Sequence, residues 1–249
     1  MSHRLFEGKE HATSYRKYRI SPSDQLIQRV LDFFEKQRSG PCELAVDVGC
    51  GSGQGTVKLA RHFASVVGTD VSAAQLEEAS QHANEPNITY RQCAAEELPF
   101  ADGSVDLVTA MSAFHWFDRP RFLQEAHRVL KPNGCLALLN YTLAMELSYP
   151  DCCGDTLNQV CQEFYAGLNP YRSPHLGAGS VDFIGRHMRQ FLIPIKSGKV
   201  CGEDPQKAAS LSQDFCHRLM SVMRVSSAET EVEVAVKYFY LLARKPQEA

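Results

Sequence analysis

The sequence predicts an α/β fold with a doubly wound, mostly parallel sheet, and two observations point to it. Short apolar runs alternate with amphipathic stretches between residues 25 and 141, a pattern typical of strands joined by right-handed helical crossovers. A glycine-rich stretch, Val46–Gly55, begins within the first apolar run. With 249 residues and 44% hydrophobic content, the chain can bury one substantial core, so we expect a single domain.

The elements up to residue 141 follow from hydrophobic periodicity. An amphipathic helix is predicted over Gln25–Lys36, opened by Ser21-Pro22-Ser23-Asp24. The pattern then predicts strands at Leu44–Val48, Val66–Thr69, Ile88–Gln92, Val105–Ala110 and Leu136–Tyr141, with helices at Thr56–Phe63, Ser72–Ala83 and Arg119–Leu130. Pro132-Asn133-Gly134 indicates a helix stop and a tight turn before the fifth strand.

Beyond residue 141 the signal is weaker. Asp155–Leu168 and Ala208–Arg224 have helical patterns, and Val232–Leu242 is rich in Val, Tyr and Phe, as expected for a last, antiparallel strand. Between them, Phe191–Ile195 is an apolar run whose proline restricts it to a sheet edge or a strand end.

The glycine-rich stretch predicts a strand-to-helix turn that takes positive φ values and lets a ligand lie on the backbone. It does not fit the dinucleotide pattern G-x-G-x-x-G, because counting from Gly49 puts Gln54 at the last position and counting from Gly51 puts Thr56 there. Asp47 beside the turn would repel a pyrophosphate and attract a cationic ligand. Asp70, at the end of the next apolar run, stands where a carboxylate can accept hydrogen bonds from ribose hydroxyls.

The order Asp47-x-Gly49-x-Gly51-x-Gly53 followed by Asp70 resembles the first two motifs of class I S-adenosylmethionine-dependent methyltransferases. The resemblance implies S-adenosylmethionine as cofactor, S-adenosylhomocysteine as product, and a Rossmann-like, seven-stranded sheet with an antiparallel last strand. It divides the single domain 1–249 into an N-terminal lid and helix (1–40), a cofactor-binding core (41–142), acceptor-side helices and loops (143–231) and a closing strand (232–243).

Two further segments resemble the UbiE-like and trans-aconitate methyltransferase-like branch of these enzymes. Ala94–Phe100 is similar to the A-E-x-L-P-F segment that lies against the adenine, which implies cofactor contacts for Ala95 and Glu96. Val71, which follows Asp70, is a further candidate cofactor contact. Ala94 stands where many relatives carry Asp, so backbone groups or Glu96 would read the adenine amine. The alternative is that Glu96 and Glu97 are an acid pair on a solvated surface.

Met111–Phe117 resembles the A-x-x-x-H-W-F segment that borders the sulfonium and the acceptor in the same branch. The resemblance makes Met111 and Ser112 candidate cofactor contacts and Trp116 a candidate acceptor contact. Histidine side chains can accept a proton near neutrality, so His115 is the candidate general base. The alternative is a histidine that is only packed and hydrogen-bonded.

Tyr15, Tyr18 and Arg19 resemble the Y-x-x-x-R-P lid of trans-aconitate-type enzymes, although Ile20-Ser21 separates Arg19 from Pro22. The alternative for this stretch is a surface helix. Either Arg19 or Arg172 could pair with a carboxylate acceptor. We therefore predict methyl transfer to a small polar acceptor, with a small carboxylate first. The alternatives are O- or S-methylation of a phenol, quinone or thiol, or a non-catalytic cofactor-binding regulatory protein.

The composition and charge of the chain limit the classes of binding partner that we expect. A net charge of −3 gives no electrostatic case for nucleic acid, and no apolar run is long enough to span a bilayer. Met1–Arg4 lacks the apolar segment of a secretory signal, which predicts a cytoplasmic protein with a small-molecule substrate. Nine cysteines without a C-x-x-C pair indicate reduced thiols and no metal site, the alternative being a soft-metal or arsenic site at Cys152, Cys153 and Cys161. Asp182–Gly202 is expected to be the least ordered segment, with the acceptor pocket open there.

Overall fold

A computed structural model describes residues 8–18, 21–36, 40–141, 146–168 and 205–247. They fall into two compact units, one within residues 1–140 and 239–249 and the other within residues 141–238. The prediction of a single domain stays a prediction.

The first unit is built on a mixed sheet of six strands in the order β3-β2-β1-β4-β5-β8. Its strands are β1 (Leu44–Val48), β2 (Ser65–Asp70), β3 (Ile88–Gln92), β4 (Val105–Met111), β5 (Leu130–Tyr141) and β8 (Tyr238–Arg244). The first five are parallel and β8 is the antiparallel edge strand, as predicted. The predicted count of seven strands is wrong for the described sheet, which has six. The remaining candidate, Phe191–Ile195, and the segment Asp182–Gly202 lie outside the described residues.

Four helices accompany this sheet: α1 (Lys9–Tyr18), α2 (Asp24–Glu35), α3 (Ala73–His82) and α4 (Arg119–Val129). The last three match the prediction to within two residues at each end, and their starts are capped by Ser23, Ser72 and Asp118, whose side chains accept backbone amide hydrogen bonds. Strand β1 lies between β2 and β4, with Val46 opposite Val67 and Val108. All three valines are buried, so the core lies around the centre of the sheet.

The predicted helix Thr56–Phe63 is wrong. This stretch forms two 3-10 turns, Thr56–Lys58 and Ala60–His62, closed by hydrogen bonds such as Leu59 N to Thr56 O at 3.0 Å. Thr56 uses its hydroxyl to bond Asp47 at 2.7 Å, which holds the start of the stretch against the sheet. The hydrophobic positions were nonetheless correct in part, because Leu59, Ala60 and Phe63 are buried.

The tight turn predicted at Pro132-Asn133-Gly134 lies within β5 instead of before it. Leu130 pairs with Val105 and Cys135 pairs with Leu107, so the register between β4 and β5 shifts across the intervening residues. Asn133 has a φ of +63°, which is typical of asparagine in a bulge. Leu130 thereby extends the amino-terminal end of β5, where it pairs with Val105 of β4.

The second unit contains β6 (Glu146–Ser148), α5 (Gly154–Leu168), α6 (Pro205–Met223) and β7 (Glu233–Ala235). Its core is aromatic, with Phe164 and Phe215 stacked at 4.3 Å between ring centroids. The single strand predicted over Val232–Leu242 is wrong: β7 pairs antiparallel with β6, and the chain starts a separate strand, β8, at Tyr238. Polar bonds favour the separate pairing, since Ser148 donates to Glu233 at 3.0 Å and Lys237 pairs with Glu146 at 2.6 Å.

Candidate functional site

The glycine-rich turn lies at the carboxyl end of β1, where ligands bind in doubly wound sheets. Gly49, Gly51 and Gly53 have φ values of +67°, +54° and +79°, so each takes a conformation that favours glycine, as predicted. Asp70 at the end of β2 accepts hydrogen bonds from the amides of Gly51 and Ser72, both at 2.9 Å. A carboxylate can accept about four hydrogen bonds, so these two bonds are compatible with further bonds to a ligand.

Asp47 is buried beneath the turn. Its carboxylate accepts hydrogen bonds from the hydroxyls of Thr56 at 2.7 Å and Thr109 at 2.8 Å. Burial raises the pKa of Asp47 to about 6, and the nearby charge of Asp70 adds to the shift, while the two hydroxyl bonds oppose it. Neither threonine was among the predicted site residues. Thr109 could have been found from the strand register, because it lies opposite Asp47 on β4.

Protein side chains occupy the space beside several glycines. A Cβ atom at Gly49 would lie 2.5 Å from the Cβ of Ala113 and 3.0 Å from the ring of Phe117. A Cβ atom at Gly53 would clash with the hydroxyl of Tyr90. A Cβ atom at Gly68 would lie 2.7 Å from the ring of the same tyrosine. These glycines are therefore required by packing within the chain as well as by backbone conformation.

Tyr90 was not among the predicted site residues. It lies opposite Gly68 in the β2–β3 register, and its ring fills the space that this glycine leaves. Its hydroxyl is shielded from solvent, and burial raises the pKa of that hydroxyl. A large side chain opposite a strand glycine is the sequence signal that could have identified it.

The segment that follows β3 lies along α4. The Ala95 side chain is buried in the core, and the Glu96 carboxylate accepts a hydrogen bond from the Asp118 amide at 2.7 Å. Glu97 is exposed and pairs with Arg121 at 3.3 Å. Glu96 therefore has a protein partner at the start of α4, and its contact with a cofactor stays a prediction. Val71 follows Asp70 and is 37% exposed at the same edge of the sheet.

Glu125 and Arg128 of α4 bind the next part of this segment. Glu125 accepts from the Leu98 amide at 2.7 Å, and Arg128 donates to the carbonyl oxygens of Leu98 at 3.0 Å and Phe100 at 2.9 Å. The two side chains also pair with each other at 2.6 Å, and the bond from Arg128 holds the pKa of Glu125 below its usual range. The backbone of this segment is thus fixed to the helix.

Met111–Phe117 begins with the last residue of β4 and contacts the glycine-rich turn. The Met111 side chain packs where a Cβ at Gly55 would lie. Ser112 is buried and has a φ of +57°, a strained value for this residue type. The rings of His115 and Trp116 are 4.9 Å apart and half-buried.

Helix α1 lies over the glycine-rich turn and against α3. Arg16 donates to the Ser52 carbonyl at 2.7 Å, and Gln54 donates to the Arg16 carbonyl at 2.8 Å. Thr13 donates to Glu78 of α3 at 3.0 Å. The predicted lid residues Tyr15 and Tyr18 lie on α1, whereas Arg19 and Arg172 lie outside the described residues.

This geometry agrees with the comparisons to known proteins. Residues 46–138 match a family model described as a methyltransferase domain. Residues 46–138 are therefore similar to a methyltransferase domain, in agreement with the resemblance of the sequence to class I S-adenosylmethionine-dependent methyltransferases. The matched residues include the glycine-rich turn, Asp70 and the segments that follow β3 and β4.

Individual relatives match the methyltransferase domain. A protein of Dictyostelium discoideum named as a methyltransferase is 39% identical over 130 residues, which are 52% of this chain and 47% of that protein. A 2-phytyl-1,4-naphtoquinone methyltransferase from a Nostoc species is 40% identical over 109 residues, or 41% of this chain and 48% of that enzyme. The chain thus spans about half the length of these relatives.

A solved structure shares the fold. The chain of a protein named as a type II methyltransferase from Anaeromyxobacter dehalogenans superposes with a TM-score of 0.62 and 21% sequence identity. The match covers 93% of this chain and all (100%) of that chain, which supports the Rossmann-like architecture of the methyltransferase domain.

The residues at the turn fit S-adenosylmethionine, the cofactor of this family. Two carboxylates, Asp47 and Asp70, stand close enough for the charge of one to raise the pKa of the other, and a cationic ligand lowers the energy of such a pair. The exposed apolar side chain of Val71 beside Asp70 suits a flat ring system. These features agree with a ligand that carries a sulfonium, a ribose and a purine.

No described helix has the length and apolar character needed to cross a bilayer. Among the same residues, no group of three His, Cys, Asp or Glu side chains is placed to hold a metal ion. The eight cysteines that the structure describes are free thiols.

Proposed function

We propose that this chain transfers the methyl group of S-adenosylmethionine to a small-molecule acceptor. One observation carries the proposal: the glycine-rich turn, Asp70 and Met111–Phe117 meet at the carboxyl ends of adjacent strands, with Ala113 and Phe117 packed directly on Gly49. The cofactor side and the acceptor side of a transfer reaction are thereby in contact. When bound, S-adenosylmethionine supplies an electrophilic methyl group on a positively charged sulfur.

The residues of the chain have separate tasks in this proposal. Asp70 holds the ribose hydroxyls, Val71 and the backbone after β3 hold the purine, and the buried charge of Asp47 favours the cationic end. His115 and Trp116 border the acceptor, where the imidazole can accept a proton from a hydroxyl or thiol. Alignment of the two reactants supplies much of the rate enhancement.

Replacement of Asp70 tests the cofactor site. Asp70→Ala removes charge-assisted hydrogen bonds worth about 1.5–3 kcal/mol each, so we expect calorimetry to show at least roughly tenfold weaker binding of S-adenosylmethionine. Asp214→Ala, which removes an exposed carboxylate on α6, is the control and should bind as the wild type does. Equal affinity of the two variants would place the ribose elsewhere.

The acceptor is proposed to be small and polar, with a carboxylate as the first class to test. A second class, a quinone or phenol, is favoured by a specific observation: the segment beside Gly49 carries Phe114, His115, Trp116 and Phe117, and a relative is named for a naphthoquinone. Aromatic side chains pack well against flat rings. Arg19 and Arg172, which would pair with a carboxylate, remain predictions.

Release of S-adenosylhomocysteine from panels of small carboxylates, quinols, phenols and thiols separates these classes. His115→Ala should lower turnover on the true acceptor more than it changes the affinity for S-adenosylmethionine. If His115→Ala weakens only cofactor binding, the imidazole lies on the cofactor side. Tight binding of S-adenosylmethionine without release of product from any panel would favour a regulatory protein.

A further inference from the structure

The Glu96 side chain joins two loops that are distant in sequence. Its carboxylate accepts a hydrogen bond from the backbone amide of Asp118 at 2.7 Å. Glu96 belongs to the segment after β3, and Asp118 is the residue at which the segment after β4 ends and α4 begins. Because the donor is a backbone N–H, this bond fixes the position of the main chain at residue 118.

The Glu96 end of this bond is anchored. Ala95 before it is buried in the core, and Leu98 after it is bound to α4 through Glu125 and Arg128. Glu96 therefore presents its carboxylate from a backbone that is held on both sides. The bond to the Asp118 amide therefore costs side-chain entropy of Glu96 but little additional backbone entropy at residue 96.

The Asp118 end leads directly to the acceptor-side residues. Phe114 and Phe117 pack against the buried Phe122 of α4, with centroid distances of 5.7 and 4.8 Å. His115 and Trp116 lie between these two phenylalanines in the chain. The position of the His115 and Trp116 rings consequently depends on where the chain enters α4.

We propose that Glu96 is a positioning residue that acts through the Asp118 amide to hold His115 and Trp116 in place, instead of binding the adenine. Through this bond, the positions of His115 and Trp116 depend on the segment after β3, which borders the cofactor in the proposed function. The terms acceptor side and cofactor side rest on the proposed function. The dependence of Trp116 on Glu96 rests on the hydrogen bond to Asp118 and on the packing of Phe114 and Phe117.

Fluorescence of Trp116 tests the proposal, because it is the only tryptophan in the chain. Glu96→Ala leaves the Asp118 amide to water, and loss of this exposed hydrogen bond, worth about 1 kcal/mol, should raise the population with a displaced Trp116 roughly fivefold. We expect stronger acrylamide quenching and a shifted emission maximum in this variant. Glu96→Gln keeps an acceptor oxygen and should restore the wild-type signal.

Glu97→Ala is the matched control, since it removes the adjacent exposed carboxylate and its bond to Arg121. It should leave Trp116 quenching unchanged, and circular dichroism should show that all variants are folded. Wild-type quenching in Glu96→Ala would overturn the proposal. So would loss of S-adenosylhomocysteine binding in both Glu96 variants with unchanged Trp116 quenching, because Glu96 would then contact the cofactor directly.

Failure of the proposed function is distinguishable from failure of the link. If calorimetry shows that the wild type does not bind S-adenosylmethionine, the proposed function is wrong, while the difference in Trp116 quenching between Glu96→Ala and Glu96→Gln still reports on the bond. With the true acceptor, a positioning role predicts that Glu96→Ala lowers kcat more than it raises KM for S-adenosylmethionine.

Discussion

Asp47 shows how a single buried carboxylate can reduce stability and favour binding. Burial raises the pKa of Asp47 to about 6 from the ordinary value of 3.8, so the folded chain binds this proton more tightly than the unfolded chain does. The contribution of Asp47 to stability is therefore greatest below the lower of these values, decreases as pH rises between them, and stays low above about 6. At neutral pH the charge is costly to the fold, which agrees with a role in holding a cation.

We expect Asp47→Asn to be more stable than the wild type at pH 8 by up to roughly 3 kcal/mol, since the amide removes the buried charge. This gain should shrink as pH falls through 6 and vanish near 4, where the wild-type carboxyl is protonated. Urea unfolding of both proteins across this range measures it. A difference that is independent of pH would contradict the origin of the effect in ionisation.

The same substitution should weaken binding of S-adenosylmethionine. A neutral amide loses the attraction between a carboxylate and the sulfonium, while Thr56 and Thr109 retain a polar partner. Calorimetry at pH 8 is the measurement. Stronger binding by Asp47→Asn would show that the charge of Asp47 destabilises the fold without favouring the cofactor.

Gly68 and Tyr90 give a second prediction at the residue scale. Gly68→Ala places a Cβ atom 2.7 Å from the Tyr90 ring, and overpacking of this kind costs about 1–3 kcal/mol. In a Tyr90→Val background this cost should decrease, with a remainder from Cys50, whose Sγ would lie 3.0 Å from the new Cβ atom; a double-mutant cycle of unfolding free energies measures the difference. Gly154→Ala is the control, because its Cβ would lie 3.9 Å from the nearest atom. Equal costs of Gly68→Ala in both backgrounds would contradict this packing argument.

Which residues lie near the turn was predictable from the sequence, but their partners were not. Asp47, Asp70 and the three glycines lie at the predicted strand ends because buried strands and glycine turns leave local signals. The partners of Asp47 come from β4 and from the 3-10 turn, and the partner of Glu96 is a backbone amide 22 residues away. Such contacts depend on strand register, which no local pattern encodes.

At the scale of elements, hydrogen bonds from α4 hold the backbone of the segment after β3, and replacement of one α4 residue tests their contribution. Arg128 binds two carbonyl oxygens and the carboxylates of Glu125 and Asp102, a set that suits the planar guanidinium of arginine. Arg128→Lys retains the charge and loses this geometry. We expect faster hydrogen exchange at Leu98 and Phe100, with little change in the central strand β1.

Arg121→Lys is the matched control, because the Arg121 side chain on the same helix bonds the exposed Glu97 carboxylate instead of the backbone at Leu98 and Phe100. Its exchange at Leu98 and Phe100 should equal that of the wild type. Unchanged exchange in Arg128→Lys would show that Glu125 alone holds the segment.

Strands were predicted well, whereas two stretches whose structure depends on distant partners were not. Strands β1, β2 and β4 are largely buried, β3 is a partly exposed edge strand, and all four match the prediction to within one residue at each end. Thr56–Phe63 carries a helical hydrophobic pattern but begins with a hydroxyl committed to Asp47, so a tertiary bond overrides the local period. Val232–Leu242 has a uniform strand composition, and only its pairing partners divide it into two strands.

For the whole molecule, the two compact units give separate reporters of stability. Cys135 lies buried in β5 of the first unit, and Cys161 lies buried in α5 of the second. A ligand at a hundred times its dissociation constant stabilises what it binds by about 2.7 kcal/mol. We therefore expect S-adenosylhomocysteine to slow thiol labelling of Cys135 strongly and that of Cys161 little. Mass spectrometry of labelled peptides measures both, and equal slowing would show that the units open together.

The buried acid pair also affects how the chain distinguishes reactant from product. In the proposed reaction, methyl transfer converts a sulfonium into a neutral thioether, so the attraction of Asp47 and Asp70 to the sulfur ends while the ammonium group of the ligand remains. S-adenosylhomocysteine is therefore expected to bind less tightly than S-adenosylmethionine at neutral pH. As the medium approaches pH 6 and Asp47 takes up a proton, the affinity for the sulfonium decreases, and the difference in affinity between the two ligands narrows.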